Sequence, residues 1–229
     1  MVLSVSWATM FRSVGILAAV VGLGYTWMAL DDDPLNPLVL FTVQSNLLLA
    51  GYYGWRVVRR GPASAEVKGA VTLYLVVTGL IWHFLRMGGS SPFEHLSLSG
   101  FGLGNLLLHY VTPVVVVIDW LVFDRNARPP RWAAALAWLA YPLAYLIFVL
   151  VRGVMLPPDA WKRYPYPFLD VDIFGYGGVV RMAIALAACF VLLGLGLIAL
   201  HRGAVRAGRT AAASRLAPAE TAPAEAVEP

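Results

Sequence analysis

Charged residues and cysteines are both scarce in this sequence. Aspartate, glutamate, lysine and arginine make up 13% of the 229 residues, about half their usual share in a soluble domain, and nothing in the sequence indicates a separate water-soluble domain. Cys189 is the single cysteine, so it forms no disulfide within the chain. No metal-ligand spacing of cysteines and histidines occurs, and the segments FGLG and FGYGG lack the strand and helix of a nucleotide-binding loop. We therefore predict neither a metal nor another cofactor.

Hydrophobic residues are abundant instead. They account for 59% of the chain, and the mean hydropathy is +0.71, which is typical of an integral membrane protein. Six apolar runs each approach the roughly 20 residues that a helix needs to cross the hydrocarbon of a bilayer. The runs cover residues 7–30, 38–58, 67–87, 101–123, 132–151 and 179–200. The sequence predicts an all-α integral membrane bundle of six helices.

Lysine and arginine fall mainly on one side of the six predicted spans. Cationic loops stay in the cytoplasm, so we predict this side, with both chain termini, to be cytoplasmic and the protein to be a multi-pass protein of the cell membrane. Its basic residues are Arg12, Arg56, Arg59, Arg60, Lys68, Arg125, Arg128, Arg131, Arg202, Arg206, Arg209 and Arg215. The net charge of +4 results from these basic residues and favours contact with anionic lipid. No nucleic-acid partner is predicted.

The composition changes after the last apolar run. Residues 203–229 are rich in alanine, proline, arginine and glutamate and have no periodic apolar face, a composition typical of disorder. We therefore predict a six-span transmembrane domain over residues 1–202 and a disordered cytoplasmic tail over 203–229. The loop 152–178 is long and rich in proline and aromatic residues, which predicts a structured cap over the outer mouth of the bundle.

Polar side chains of three predicted spans gather at one depth. Thr42 and Asn46 lie about 6–12 Å below the outer end of the second span and share a face, because they are four residues apart. The full set at this depth is Thr42, Asn46, His83, Arg86, Asn105 and His109. Polar side chains within lipid usually face a bundle interior or a site. The sequence thus predicts a pocket in the outer half of the bundle.

Thr42 and His109 are a possible nucleophile and base, because an imidazole that takes the proton of a hydroxyl makes it nucleophilic. The candidates for binding substrate or stabilising an oxyanion are Asn46, His83, Arg86, Asn105 and Asp170. A carboxylate to orient His109 would come from Asp170 or Asp172. Asp119 lies ten residues from His109, about 15 Å along a helix, so we predict that it pairs with an arginine on the inner side.

Three motifs together resemble a known family. The segments FTVQSNLL with Thr42, NLLLHYVTPVVVVID with His109 and Asp119, and YPFLD ending at Asp170 are similar to the androgen-induced membrane hydrolase family and to a related group of six-span bacterial proteins. Members of that family are multi-span threonine hydrolases of fatty-acid esters of hydroxy fatty acids. The resemblance implies that Thr42 is the nucleophile, that His109 is the catalytic histidine, that the substrate is a lipid ester and that the source is bacterial.

Two other functions fit the same residues. The first is a non-enzymatic lipid-binding protein or small carrier, in which the histidines and arginine hold an anionic headgroup or pass protons. The second is ligation of a haem by His83 and His109, which lie at similar depth on adjacent helices. A visible spectrum of the purified protein without a Soret band would exclude the haem.

Overall fold

The structure is a computed structural model. It describes residues 6–30, 33–59, 64–86, 88–89, 101–124 and 128–216, and these ranges contain helices and connecting loops without a strand. The predicted all-α class is confirmed. Residues 90–100, between the third and fourth predicted spans, lie outside the described residues.

The first three long helices begin at recognisable signals. Helix α1 (Trp7–Ala29) is capped by Ser6, whose hydroxyl accepts a hydrogen bond from the amide of Thr9 at 3.2 Å. Helix α2 (Phe41–Arg59) follows a 3-10 turn at Asn36–Val39. Helix α3 (Ala65–Ile81) is capped by Ser64 in the same way as α1.

Three π-helical turns interrupt the middle of the chain. One, Trp82–Arg86, continues α3; the others, Leu107–Val111 and Asp119–Phe123, follow α4 (Phe101–Leu106) and α5 (Thr112–Ile118) within a single continuous helix. Pro113 gives one physical cause, because it has no amide hydrogen to donate to the His109 carbonyl one turn earlier. Such turns occur often at functional sites, and these three contain His83, His109 and Asp119.

The last helices are α6 (Ala134–Ala137), α7 (Ala140–Met155) and α8 (Val171–Leu216). Helix α8 is kinked at Gly175, where φ is 63°, a left-handed conformation that favours glycine. It also corrects the prediction of a disordered tail, because residues 203–216 are helical. Alanine and arginine have high helix propensity, which explains why the helix continues beyond the membrane-length segment. Residues 217–229 lie outside the described residues.

Five helices are long and apolar enough to cross a membrane. They are Trp7–Ala29, Ala65–Arg86, Gly102–Phe123, Ala134–Met155 and Val171–Thr210. The remaining predicted span is α2, a helix of 19 residues that is too polar to be counted with them because Gln44, Ser45 and Asn46 fill its second turn. Helix α2 nevertheless packs between α1 and α3.

Small residues of α1 bring its neighbours close. A side chain at Gly15 would lie 2.9 Å from the ring of Tyr53 on α2, and one at Gly22 would lie 2.6 Å from Leu108. Ala19, between them, is fully buried. This agrees with the close helix approach that small residues permit in membranes.

Two ends of the bundle can be distinguished. The basic end holds the start of α1, the end of α2, the start of α3 and Asp124. The loop end holds the 3-10 turn Asn36–Val39, the π-helical turn Trp82–Arg86 and the segment 156–170 that connects α7 to α8.

Candidate functional site

Asn46 joins α2 to the helix that carries His109. Its side-chain amide donates to the carbonyl of Thr42 at 2.9 Å and to the carbonyl of Leu108 at 3.4 Å. Its oxygen accepts a hydrogen bond from the Thr112 hydroxyl at 2.8 Å. Asn46 and Thr112 are fully buried, so this polar junction lies inside the bundle. It sets the first turn of α2 against the π-helical turn that contains His109.

The ring of His109 is fixed by α3. Its Nδ1 lies 3.4 Å from the carbonyl oxygen of Thr78, and the ring stacks on Trp82 with a centroid separation of 4.2 Å. A carbonyl accepts hydrogen bonds, so Nδ1 carries the proton and Nε2 keeps the lone pair of a base. No hydrogen bond joins the Thr42 hydroxyl to this ring in the described part of the chain.

The carboxylates predicted as partners of His109 have other roles. Asp170 accepts hydrogen bonds from the amides of Asp172 and Ile173 at 2.9 and 3.3 Å, and it therefore caps the start of α8. Asp172 pairs with Arg163 at 2.7 Å. The prediction that a carboxylate orients His109 was wrong, because the π-helical turn directs the imidazole to a backbone carbonyl of α3.

The other predicted site residues surround this junction. The Nδ1 atom of His83 lies 3.3 Å from the hydroxyl oxygen of Tyr110. Tyr110 is next to His109 in sequence. Asn105 is half-buried on α4, one turn before His109, and Arg86 is exposed at the loop end. Burial and then the positive charge of Arg86 lower the pKa of Lys162.

Tyr166 also belongs to this region. In the sequence it was noted only as part of the motif YPFLD and was not predicted as a site residue. Its hydroxyl accepts a hydrogen bond from the amide of Phe41 at 3.1 Å, so the segment 156–170 covers the start of α2. Burial raises the pKa of the Tyr166 phenol, while hydrogen bonding with Thr42 and Phe41 opposes this rise. Thr42 follows Phe41 directly in the chain, so its backbone lies at the start of α2 that the segment 156–170 covers.

Further tyrosines line the start of α2. Tyr145 donates a hydrogen bond to the Val39 carbonyl at 2.7 Å, and Tyr141 donates one to Gln44 at 2.9 Å. The ring of Phe41 stacks on Tyr141 and meets Tyr145 edge to face. Gln44 and Asn46 of this polar turn thus have partners on neighbouring helices, whereas the buried hydroxyl of Ser45 has none in the part of the chain that the structure describes.

A second polar region lies at the basic end and was largely missed. We call it the charge cluster; its members are Arg12, Arg56, Lys68, Asp119 and Asp124. Asp119 is fully buried and is paired with Arg12 at 3.0 Å and with Lys68. The predicted pairing of Asp119 with an inner-side arginine is confirmed, whereas the participation of Lys68 and Asp124 was not foreseen.

The cluster links four elements of the bundle. Asp124 contacts Arg12 at 3.0 Å, Arg56 at 3.8 Å and also Lys68. Lys68 is only 1% exposed. An ionisable side chain within an apolar span costs free energy unless it is paired. Arg12 and Lys68 both lie within predicted apolar runs, near their ends, so the sequence already indicated that they need partners.

Comparison with protein-family models, with curated proteins and with solved structures finds no match. The class of the protein follows from the fold itself. The described part of the chain is all-helical and contains five helices that are long and apolar enough to cross a membrane, which is compatible with an integral membrane protein. Its polar side chains are concentrated in two buried regions, one near each end of the bundle.

Asn46→Leu should weaken the bundle measurably. In a double-mutant cycle with Thr112→Val, we expect a coupling energy of about 0.6 kcal/mol, with an upper limit of about 1.7 kcal/mol, the range for hydrogen bonds between membrane helices. Denaturant unfolding of the four proteins in mixed micelles measures it. Additive effects of the two substitutions would contradict the structural role of the junction.

Proposed function

We propose that this membrane protein hydrolyses lipid esters, with Thr42 as the nucleophile and His109 as the general base. The observation that supports this function best is the Asn46 junction, which holds the turn of Thr42 against the turn of His109. The motifs FTVQSNLL and NLLLHYVTP resemble those of threonine hydrolases, and this resemblance assigns catalysis to the same two residues.

The environment of His109 suits a base. A base needs a fixed ring and a free lone pair, and the carbonyl of Thr78 together with the stacked Trp82 fixes the ring. In the proposed reaction the Thr42 hydroxyl approaches Nε2 of His109 when substrate is bound. Hydrogen bonds of catalytic groups often tighten only in the substrate complex.

The proposed reaction is acyl transfer in two steps. The oxygen of Thr42 bonds to the ester carbonyl carbon while His109 takes the hydroxyl proton; the ester bond to the alcohol then breaks, and His109 returns the proton to the leaving alcohol. Water attacks the acyl-threonine by the same route and releases the fatty acid. Asn105, His83 and Arg86 are the proposed groups for the developing negative charge.

We place the basic end in the cytoplasm and the loop end outside, in accord with the distribution of lysine and arginine. The substrate then enters sideways from the outer leaflet of the cell membrane. Cysteine labelling of single-cysteine variants at Ser6 and Asp159, in a Cys189→Ser background, distinguishes the two orientations in intact cells.

His109→Gln should lower hydrolysis of a fluorogenic long-chain acyl ester by about 10²–10⁴-fold, the usual contribution of a general base, and Thr42→Val, which removes the nucleophile, should lower it at least as much. Thr42→Ser keeps a hydroxyl and should retain part of the activity. Thr26→Val is the matched control, because Thr26 is a buried threonine on α1 that hydrogen-bonds its own helix at Gly22. Labelling by a fluorophosphonate probe gives the second readout. Undiminished turnover and labelling in both site variants would refute the assignment.

The second candidate is a lipid-binding protein without turnover. The observation that favours it is that His109 and His83 already have partners in Thr78 and Tyr110. Lipid that copurifies with the protein and is not consumed, in preparations that show no esterase activity, would support binding over hydrolysis.

A further inference from the structure

A cavity lies between α2 and α3 at the basic end. It has a volume of about 250 Å³ and is lined by Tyr52, Trp55, Ser64 and Val67. Trp55 and Val67 are exposed, so the cavity opens on the surface of the bundle. Its walls are mostly apolar, apart from the hydroxyl groups of Tyr52 and Ser64.

Donors beside this cavity have no partner. The Nε of Arg56 and the hydroxyl of Tyr52 are buried without a hydrogen-bond partner within the part of the chain that the structure describes. Tyr52 and Arg56 are four residues apart on α2 and therefore share a face. Buried donors without a partner cost free energy, so a ligand that accepts hydrogen bonds from them would be stabilised.

The local charge favours an anion. Three cationic and two anionic side chains form the charge cluster, and Arg56 reaches Asp124 only at 3.8 Å, which is beyond a hydrogen bond. Arg12 and Lys68 approach the two carboxylates more closely. Arg56 is thus the member with the least compensated charge, and its side chain is only 11% exposed.

We propose that this place is a binding site for an anionic phospholipid. The phosphate accepts hydrogen bonds from Nε of Arg56 and from the Tyr52 hydroxyl, and the glycerol with the start of an acyl chain fills the cavity against Trp55 and Val67. Trp55 suits this depth, because tryptophan prefers the membrane interface. The exposed side chain of Arg59, about one turn further along α2, attracts the phosphate electrostatically without contacting it. The site is at the opposite end from Thr42 and His109, so it is independent of the proposed hydrolysis.

Native mass spectrometry of the purified full-length protein, titrated with phosphatidylglycerol or phosphatidylcholine, tests the site. We expect phosphatidylglycerol to be retained preferentially. Arg56→Gln should weaken its binding about fivefold, the contribution of one basic residue at an anionic surface, and Tyr52→Phe should weaken it by a smaller factor. Arg59→Gln is the matched control, with the same charge change on the same helix, and should change binding less than twofold.

A second measurement covers the case in which Arg56→Gln does not fold. Phosphatidylglycerol with brominated acyl chains should quench tryptophan fluorescence, and the quenching should fall in Trp55→Phe but not in Trp132→Phe. Equal effects of Arg56→Gln and Arg59→Gln, or equal retention of the two lipids, would overturn the site. Displacement of the lipid by millimolar inorganic phosphate would also overturn it, because a free anion would then be the occupant.

Discussion

Replacing Asp119 by asparagine should lower the free energy of unfolding by about 3–5 kcal/mol, the usual result of removing one partner from a buried ion pair. The substitution keeps the size of the side chain but removes the negative charge between Arg12 and Lys68. Lys68 is 1% exposed, so its charge cannot turn to water. Asp124 is left as the single carboxylate near three cations.

Unfolding of the variant in mixed detergent and denaturant micelles measures this effect. Asp172→Asn is the matched control, since Asp172 is paired with Arg163 but its side chain is 51% exposed. Exposed pairs contribute about 0–1 kcal/mol, so the control should be nearly as stable as the original protein.

A compensating substitution separates charge from shape. Lys68→Met in combination with Asp119→Asn removes one cation and one anion together, and we expect most of the lost stability to return, because apolar replacement of a buried pair is often neutral. If the double variant is as unstable as the sum of the two single variants, the charge cluster does not stabilise the bundle through its pairing.

Gly79→Val should lower the stability by about 3 kcal/mol, the upper part of the range for overpacking. A side chain at Gly79 would lie 2.7 Å from the carbonyl oxygen of His109 and 3.3 Å from the ring of Pro113. The first of these atoms belongs to the backbone, so it cannot move aside alone. Relief requires α3 to separate from the π-helical turn Leu107–Val111.

Thermal unfolding in detergent measures the loss, and fluorescence of Trp82, which stacks on His109, reports the separation. Gly51→Val is the control, because Gly51 is an exposed helical glycine with open space around it. Surface substitutions of this kind usually change stability by about 0.5 kcal/mol or less. Similar losses in the two variants would show that the contact between Gly79 and His109 is not tight.

Part of the polar arrangement could be predicted from spacing alone. Thr42 and Asn46 were predicted to share a face, and Asn46 does reach the helix of His109. The spacing of four residues applies there because α2 runs regularly from Phe41. The partners of His109 could not be predicted in this way, because a π-helical turn shifts the face on which a residue lies and has no simple sequence pattern.

The pairing within the charge cluster also could not be predicted from the sequence. Arg12, Lys68 and Asp119 were visible as ionisable residues in apolar runs, but they are separated by 51 to 107 residues along the chain. Which charges meet depends on how four elements pack. The prediction of a disordered tail was wrong over residues 203–216, which are helical. That prediction rested on composition, which indicated that the segment buries little apolar surface. The helix there depends instead on the local helix propensity of its residues.

The amino-acid sequence by itself determined the membrane class and most of the helices, because apolar runs of spanning length have few other stable environments. It also determined which residue types are placed in the apolar region. Only the tertiary structure decided their partners: a carbonyl of α3 for His109, a helix start for Asp170, and two cations for Asp119. The physical reason is that hydrophobicity is a property of single residues summed along the chain, whereas hydrogen bonds and ion pairs require two groups at one place.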